Sequence, residues 1–375
     1  MNDRYDYIVV GAGVVGLSMA RSLARKQQSV LLLEKDDYGS AASGTNLGQL
    51  SLSDRDPVLE VDLVRETFEM YRTASEQVDL EYEHQGGLCT IHSEKGLEMA
   101  AALVETKKKQ GVHLVLLRGE EVHQAEPWLQ DVAGGVFSPE EGRINPLKVN
   151  AWLLQEALEA GVTYLPHTPL KEFVPDKKGC VAAKTDRGVF EGGTIILATG
   201  SWSRELLLSL DLDLPIDYLR GTAMVTQPFP KMIHGPVEDG TFFTGQVPDG
   251  ETIYFGGVQE ANGSIIIAQA NRPGKDYNTA IDHEDLSKLA KLFLSHFPVF
   301  HDVQIVRAWS GNTTITPDDK PYWGFCKTVP NLFLAVAFKG AFSLAPAMAE
   351  RTADWLIHGR VEKRYAIWDP NRQAQ

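Results

Sequence analysis

Apolar positions near the start of the chain change period three times within a short stretch. Tyr7 to Val10 is an unbroken apolar run, ending at Gly11-Ala12-Gly13-Val14-Val15-Gly16. Leu17, Ala20, Leu23 and Ala24 then recur at helical spacing, and a second apolar run, Val30 to Leu33, closes at Glu34. The order is strand, glycine turn, helix, strand, which fits the roughly 30 residues of a βαβ unit.

Further along, Tyr38 to Leu52 is rich in Gly, Ala, Ser and Asn and reads as a loop. Val61, Val64, Phe68 and Tyr71 predict a helix within 56–80, and residues 84–92 a turn and a strand. A helix over 95–110 ends in Lys107-Lys108-Lys109, read as a solvated end that suits the helix dipole. Residues 134–146 read as turns, and Ala151 to Ala160 as a helix stopped by Gly161. Short strands are expected near 162–166, 170–174, 180–185 and 189–191, with a buried one at Thr194 to Ala198. The stretch 218–270 is mostly strand, with turns at Pro248-Asp249-Gly250 and Ala261-Asn262-Gly263. A helix at 284–296, strands at 303–309 and 332–336, and a last helix at 343–357 before Gly359 complete the pattern. The βαβ start, strand-rich insertion and terminal helix predict two interleaved domains.

Composition narrows the function. The chain has 375 residues, 43% apolar and 23% charged, which is globular and long enough for about two domains. Its net charge of −14 argues against broad binding to nucleic acid or anionic membranes. Cys89, Cys180 and Cys326 are far apart, with no metal-ligand spacing, so no metal is expected. No apolar stretch approaches the roughly 18 residues of a membrane span, and Met1 to Asp6 lacks a signal-peptide core; the expected location is cytoplasmic.

The Gly11-X-Gly13-X-X-Gly16 turn carries the first chemistry. Its glycines permit a tight turn, close backbone approach to a pyrophosphate, and close helix–strand packing. The following helix offers free N–H groups and a positive dipole end to phosphate. Glu34, at the end of the second strand, can accept hydrogen bonds from ribose hydroxyls. No second such turn occurs, so a reductase with two dinucleotides is not expected.

Five further segments, in order, resemble the D-amino-acid-oxidase-like flavoproteins, the group of glycine oxidase, sarcosine oxidase and the D-proline and hydroxyproline dehydrogenases. They are Ala42 to Leu50, Gly142 to Leu147, Thr194 to Trp202, Arg307 to Gly311 with its continuation through Gly324, and Phe338 to Pro346. The likeness covers nearly the whole chain. It implies an α/β (α+β overall) fold, a Rossmann-type FAD-binding domain interleaved with a substrate domain on an antiparallel sheet. The expected borders are 1–82, 143–215 and 303–375 for the FAD-binding domain, and 83–142 and 216–302 for the substrate domain.

The resemblance also implies site residues. Gly11, Gly13, Val14, Val15 and Gly16 would carry the pyrophosphate, and Glu34 with Lys35 the ribose. Leu170 would meet adenine through its backbone, with Ala198, Gly200 and Trp202 under the adenosine half. Ser43, Gly44, Gly48, Gln49 and Leu50 would pass the ribityl chain and flavin ring. Lys339, Gly340, Ala341, Phe342 and Ser343 would line the pyrimidine edge. Tyr254, Trp309, Lys339 and Gln49 are the substrate-binding candidates. The FAD is expected to be non-covalent, because Cys326 lies outside the flavin loop.

Two departures stand out. Where amino-acid oxidases of this group place a carboxylate-binding arginine, this chain has Asn312-Thr313-Thr314, which leaves Lys339 and Arg220 as alternative cations. Where sarcosine oxidases carry an oxygen-activating lysine, it has Ile265-Ile266-Ile267. The expected reaction is oxidation of a C–N bond of an amino acid or secondary amine by hydride transfer to flavin N5, giving an imine, as a dehydrogenase rather than an oxidase. No catalytic acid or base is assigned: the ten histidines form no recognisable constellation and no GxSxG is present. Two alternatives stay open, oxidation of a 2-hydroxy acid and a flavin subunit of a larger dehydrogenase complex. The expected partners are a small amine or amino acid and an electron acceptor or partner subunit.

Overall fold

The computed structural model describes residues 4–176, 179–240, 243, 252–274 and 276–372. The turn expected at Pro248-Asp249-Gly250 lies outside them. The chain forms two compact units: Met1–Gly44, Pro146–Tyr218 and Thr313–Gln375 make the first, Thr45–Asn145 and Leu219–Asn312 the second.

The first unit is built on a mainly parallel sheet. Its strands run Tyr322–Phe325, Leu332–Val336, Gly188–Leu197, Arg4–Val10, Val30–Leu33, Thr163–Leu165, with only Tyr322–Phe325 antiparallel along that path. Ile8 lies beside both Leu31 and Ile195, and all three are fully buried. That burial explains the unbroken apolar runs, since a parallel strand is covered on both faces. The helix Val14–Arg25 packs against the helices Pro146–Glu159 and Ala341–His358, and Arg21 Nε meets Glu156 Oε2 at 2.5 Å. Glu172–Pro175 and Val181–Thr185 extend the long strand Gly188–Leu197 as an antiparallel ribbon.

The second unit centres on eight strands ordered Ile305–Ile315, Asp217–Thr226, Ile265–Pro273, Thr252–Gln259, Val237–Asp239, Gly87–Ile91, Gly134–Ser138, Val115–Arg118. A parallel pairing of Val237–Asp239 with Gly87–Ile91 lies between antiparallel pairings, from Asp217–Thr226 through Ile265–Pro273 and Thr252–Gln259 on one side and through Gly134–Ser138 to Val115–Arg118 on the other. Met224, Phe255, Ile265, Ile267 and Ala270 form one side of its core, closed by Leu289 and Phe293 of the helix His283–His296.

Several elements differ from the sequence expectation. The stretch read as a loop contains the short helix Ala42–Thr45 and the strand Gln49–Leu50, which pairs with Gly142–Arg143. The expected turns at 134–146 include the strand Gly134–Ser138, whose two glycines hid its pattern. Its neighbours explain them: a Cβ on Gly134 would lie 2.5 Å from Leu117 O, and one on Gly135 2.7 Å from Leu88 Cδ1. The helix expected from Ala151 begins at Pro146, where the missing N–H is harmless. Lys107 is not solvated. It is buried, and its ammonium donates to the carbonyls of Ser53 and Arg55. Among the described residues no helix is long and apolar enough to cross a membrane.

Candidate functional site: a nucleotide cradle and a polar sheet face

In the first unit the glycine turn is set by close contacts. Gly11 has φ +102°, and a Cβ there would lie 2.5 Å from Ala198 O. A Cβ on Gly16 would lie 1.8 Å from Gly11 O, so only glycine lets the helix approach the strand. Gly13 starts the helix Val14–Arg25 without a side-chain cap. The amide of Val14 donates to Ser43 Oγ at 2.9 Å. Gly13, Val14 and Ser43 thus meet at a helix N-terminus, the local geometry that suits an anion.

Glu34 closes the cradle. Its Oε2 accepts the amide of Ala12 at 2.7 Å and its Oε1 the amide of Asp36 at 2.9 Å. A carboxylate has about four acceptor positions, so two remain for ribose hydroxyls. The amide of Thr168 donates to Glu34 O at 2.7 Å, which brings the segment of Leu170 beside this strand end. Lys35 Nζ lies 4.1 Å from the centre of the Trp202 ring. Ala198 bonds back to Val10 O at 2.9 Å, and Gly200 opens the turn Gly200–Trp202 with φ +54°. A tight glycine bend, an uncapped helix start and an anchored acid with spare acceptors fit the ADP half of FAD.

The last loop of this unit belongs with it. Gly340, at φ +62°, caps the helix Ala341–His358, and Phe342 and Ser343 are buried in its first turn. Lys339 is exposed, with Nζ 3.6 Å from Asp319 Oδ2. Asp319 therefore competes for the charge that a substrate carboxylate would use.

In the second unit Gly48 holds φ +72° and its amide donates to Asn46 Oδ1 at 2.8 Å. Gly48 O accepts the amide of Ile144 at 2.8 Å, which fixes Gln49 and Leu50 as a strand. Trp309 Nε1 donates to Thr45 O at 2.8 Å. The Trp309 ring therefore ties down the start of the segment carrying Gln49. Tyr254 sits between the core-facing Ile253 and Phe255 and takes the other face of the sheet. Arg220 pairs in register with Arg272, whose guanidinium meets Asp285 Oδ1 at 2.7 Å. Asn312 is buried, in the stretch where the arginine was expected.

Sequence reasoning missed a cluster under Gln49. Its side chain hydrogen-bonds the carboxyl of Glu238, which also accepts from Cys89 Sγ at 3.4 Å. Burial and the nearby Glu141 and Asp54 carboxylates push Glu238 up to about 8. Burial raises Glu141 as well, but its Oε1 accepts the amides of Leu52 and Ser53 at 2.8 and 2.6 Å, which favour its charged form over that of Glu238. These residues lie far apart in sequence, and no spacing could have announced them. Burial pushes the Cys326 thiol up to about 12, which leaves it a poor nucleophile. Among the described residues no group of His, Cys, Asp and Glu is arranged to hold a metal.

A family model described as FAD dependent oxidoreductase matches residues 6–355. Mitochondrial dimethylglycine dehydrogenase of Rattus norvegicus is 23% identical over 100% of this chain and 45% of its own length. Glycine oxidase of Bacillus licheniformis is 24% identical over 97% of this chain and 96% of its own. The chain spans about half the length of the dimethylglycine dehydrogenases and of the bifunctional ThiO/ThiG protein of Synechocystis that it matches, 45% and 54%. Among solved structures, glycine oxidase from Geobacillus kaustophilus superposes with a TM-score of 0.89 at 21% identity, covering 100% of both chains. L-proline dehydrogenase from P. horikoshii gives 0.87 at 23%, covering 99% of this chain and 98% of that one. These structural likenesses establish a shared fold.

Proposed function

The chain belongs to the FAD-dependent oxidoreductase family, and from that premise we propose that it oxidises the C–N bond of an amino acid or secondary amine and passes the electrons to an acceptor other than dioxygen. Bound FAD supplies the two-electron acceptor for the C–H bond next to nitrogen. The chain's own residues hold and orient. Gly11 to Gly16 and Glu34 take the ADP half, while the N-terminus of Ala341–His358 favours negative charge beside it.

The observation that carries the amine reading is the outward face of the strands Thr252–Gln259 and Ile265–Pro273. Among the described residues it presents Tyr254, Ile266, Ala268, Gln269 and Asn271, and the carboxyl beside it, Glu238 in register with Gly256, is pushed up to about 8 and holds its proton instead of offering a base. Oxidation of an alcohol asks for a base to take the hydroxyl proton. A neutral amine needs none, so positioning carries most of the catalysis. Among the described residues the same two strands carry no lysine to stabilise reduced oxygen, which supports a dehydrogenase.

The full chain, purified with its flavin, tests this through paired assays in air-saturated buffer and with an artificial dye acceptor. The reading expects turnover of an amine or amino acid at least tenfold faster with the dye. Equal or faster turnover with dioxygen contradicts the dehydrogenase assignment.

A further inference from the structure

The strand Ile265–Pro273 is irregular against both neighbours at one position. Its pairing with Asp217–Thr226 slips between Thr222 and Ala223, and its pairing with Thr252–Gln259 slips between Ile253 and Gly256. Thr222 and Ile253 both face Ala270, while Ala223 and Gly256 both face Ala268. Against Asp217–Thr226, Gln269 is the extra residue with no register partner, and against Thr252–Gln259 it stands opposite two residues, Tyr254 and Phe255, so both irregularities meet at Gln269. Bulges re-aim side chains in this way and gather beside active sites.

The direction of that side chain follows from its neighbours. Ile267 and Ala270 face the core, so Ala268 and Gln269 share the other side. A Cβ on Gly221 would lie 3.3 Å from Asn271 Oδ1 and 3.6 Å from Gln269 Oε1, so both amides converge over that glycine. A Cβ on Gly256 would lie 3.6 Å from Leu47 Cδ1, which sets the segment leading to Gln49 over the adjoining part of the same face. Tyr254 shares this face. Neither amide side chain has a hydrogen-bond partner among the described residues, although Asn271 is only 8% exposed.

Among the described residues, their neighbours on the outward face are Leu219, Ala223, Tyr254, Ile266 and Ala268, and the acid at the far end of that face, Asp217, is paired with Arg204. We infer that Gln269 and Asn271 select the polar end of the substrate, and that this end is an uncharged carboxamide in preference to a carboxylate. Two primary amides offer both donors and acceptors, which a carboxamide matches on both counts. A carboxylate only accepts. It would leave the amide oxygens unmatched and lose solvation without a counter-ion. The inference rests on the proposed reading only in placing the substrate on this face.

Unreactive probes test it without turnover, so failure of the C–N reading leaves the result legible. The flavin-loaded full chain is titrated with pyrrole-2-carboxamide and pyrrole-2-carboxylate, following the visible flavin band. The carboxamide is expected to bind at least tenfold tighter. Gln269→Leu and Asn271→Leu should each weaken it about tenfold, the scale of one lost hydrogen bond, with the band of the probe-free protein unchanged. Gln269→Arg should reverse the preference toward the carboxylate, which a merely structural role would not do. Equal binding, tighter binding of the carboxylate or no binding of either probe overturns the inference. So does a carboxamide affinity unchanged in both leucine variants.

Discussion

Glu34 Oε2 accepts the amide hydrogen of Ala12 at 2.7 Å, tying the end of the second parallel strand to the middle of the glycine turn. The acid that would meet the ribose is thus held by the loop that would meet the pyrophosphate. Its second oxygen, bonded to the amide of Asp36 at 2.9 Å, fixes the carboxylate plane.

Glu34→Gln should weaken FAD binding. The substitution removes the charge, and Gln offers one acceptor oxygen where two are used. Charge-assisted bonds contribute about 1.5–3 kcal/mol, so roughly a 10–100-fold rise in the FAD dissociation constant is expected. Titration of apoprotein with FAD by flavin fluorescence measures it, and unchanged affinity would remove Glu34 from the site.

Gly16→Ala and Gly13→Ala should differ. A Cβ at 16 meets backbone, Gly11 O at 1.8 Å, whereas one at 13 meets the Ser43 hydroxyl at 2.9 Å. A side chain can turn away and a backbone carbonyl cannot. Gly16→Ala should cost about 1–3 kcal/mol or more in urea unfolding, and Gly13→Ala distinctly less.

Lys107→Met should destabilise the second unit. The ammonium donates to Ser53 O and Arg55 O. Methionine fills similar space but leaves two buried carbonyls unmatched, at about 1–3 kcal/mol each. An exposed end of a lysine run would tolerate the change within about 0.5 kcal/mol, so urea unfolding separates the two readings.

That lysine also marks where the sequence stopped being legible. Gly11 to Gly16 and Glu34 could be read because a βαβ unit is local, with every partner inside one short stretch. Val30–Leu33 and Leu332–Val336 announced themselves because burial on both faces leaves only apolar residues. Lys107 resembled its neighbours Lys108 and Lys109, and only Ser53 and Arg55, distant in sequence, decide that it turns inward. Gln269 was hidden for the same reason: a bulge is a property of three paired strands. Glu238 looked like any surface acid until Gln49, Cys89 and Glu141 closed around it.

Glu238 should give stability a pH slope. Its carboxyl, ordinarily near 4.5, holds a proton in the folded protein up to about 8. The unfolded chain releases that proton earlier. The stabilisation is therefore full below about pH 4.5 and is lost as pH rises through about 8. The ceiling is about 1.4 kcal/mol per pH unit, and the half-buried side chain will fall short of it. Unfolding free energies between pH 5 and 8 should fall less steeply in Glu238→Gln than in wild type. Identical slopes would place the proton elsewhere.

Anaerobic mixing of the purified flavoprotein with amines, amino acids, their carboxamides and 2-hydroxy acids, followed by air, tests C–N oxidation most directly. Bleaching of the visible flavin band by an amine or amino-acid compound, with slow recovery in air, is the expected result. Bleaching by hydroxy acids alone, or by no amine of the panel, would contradict it.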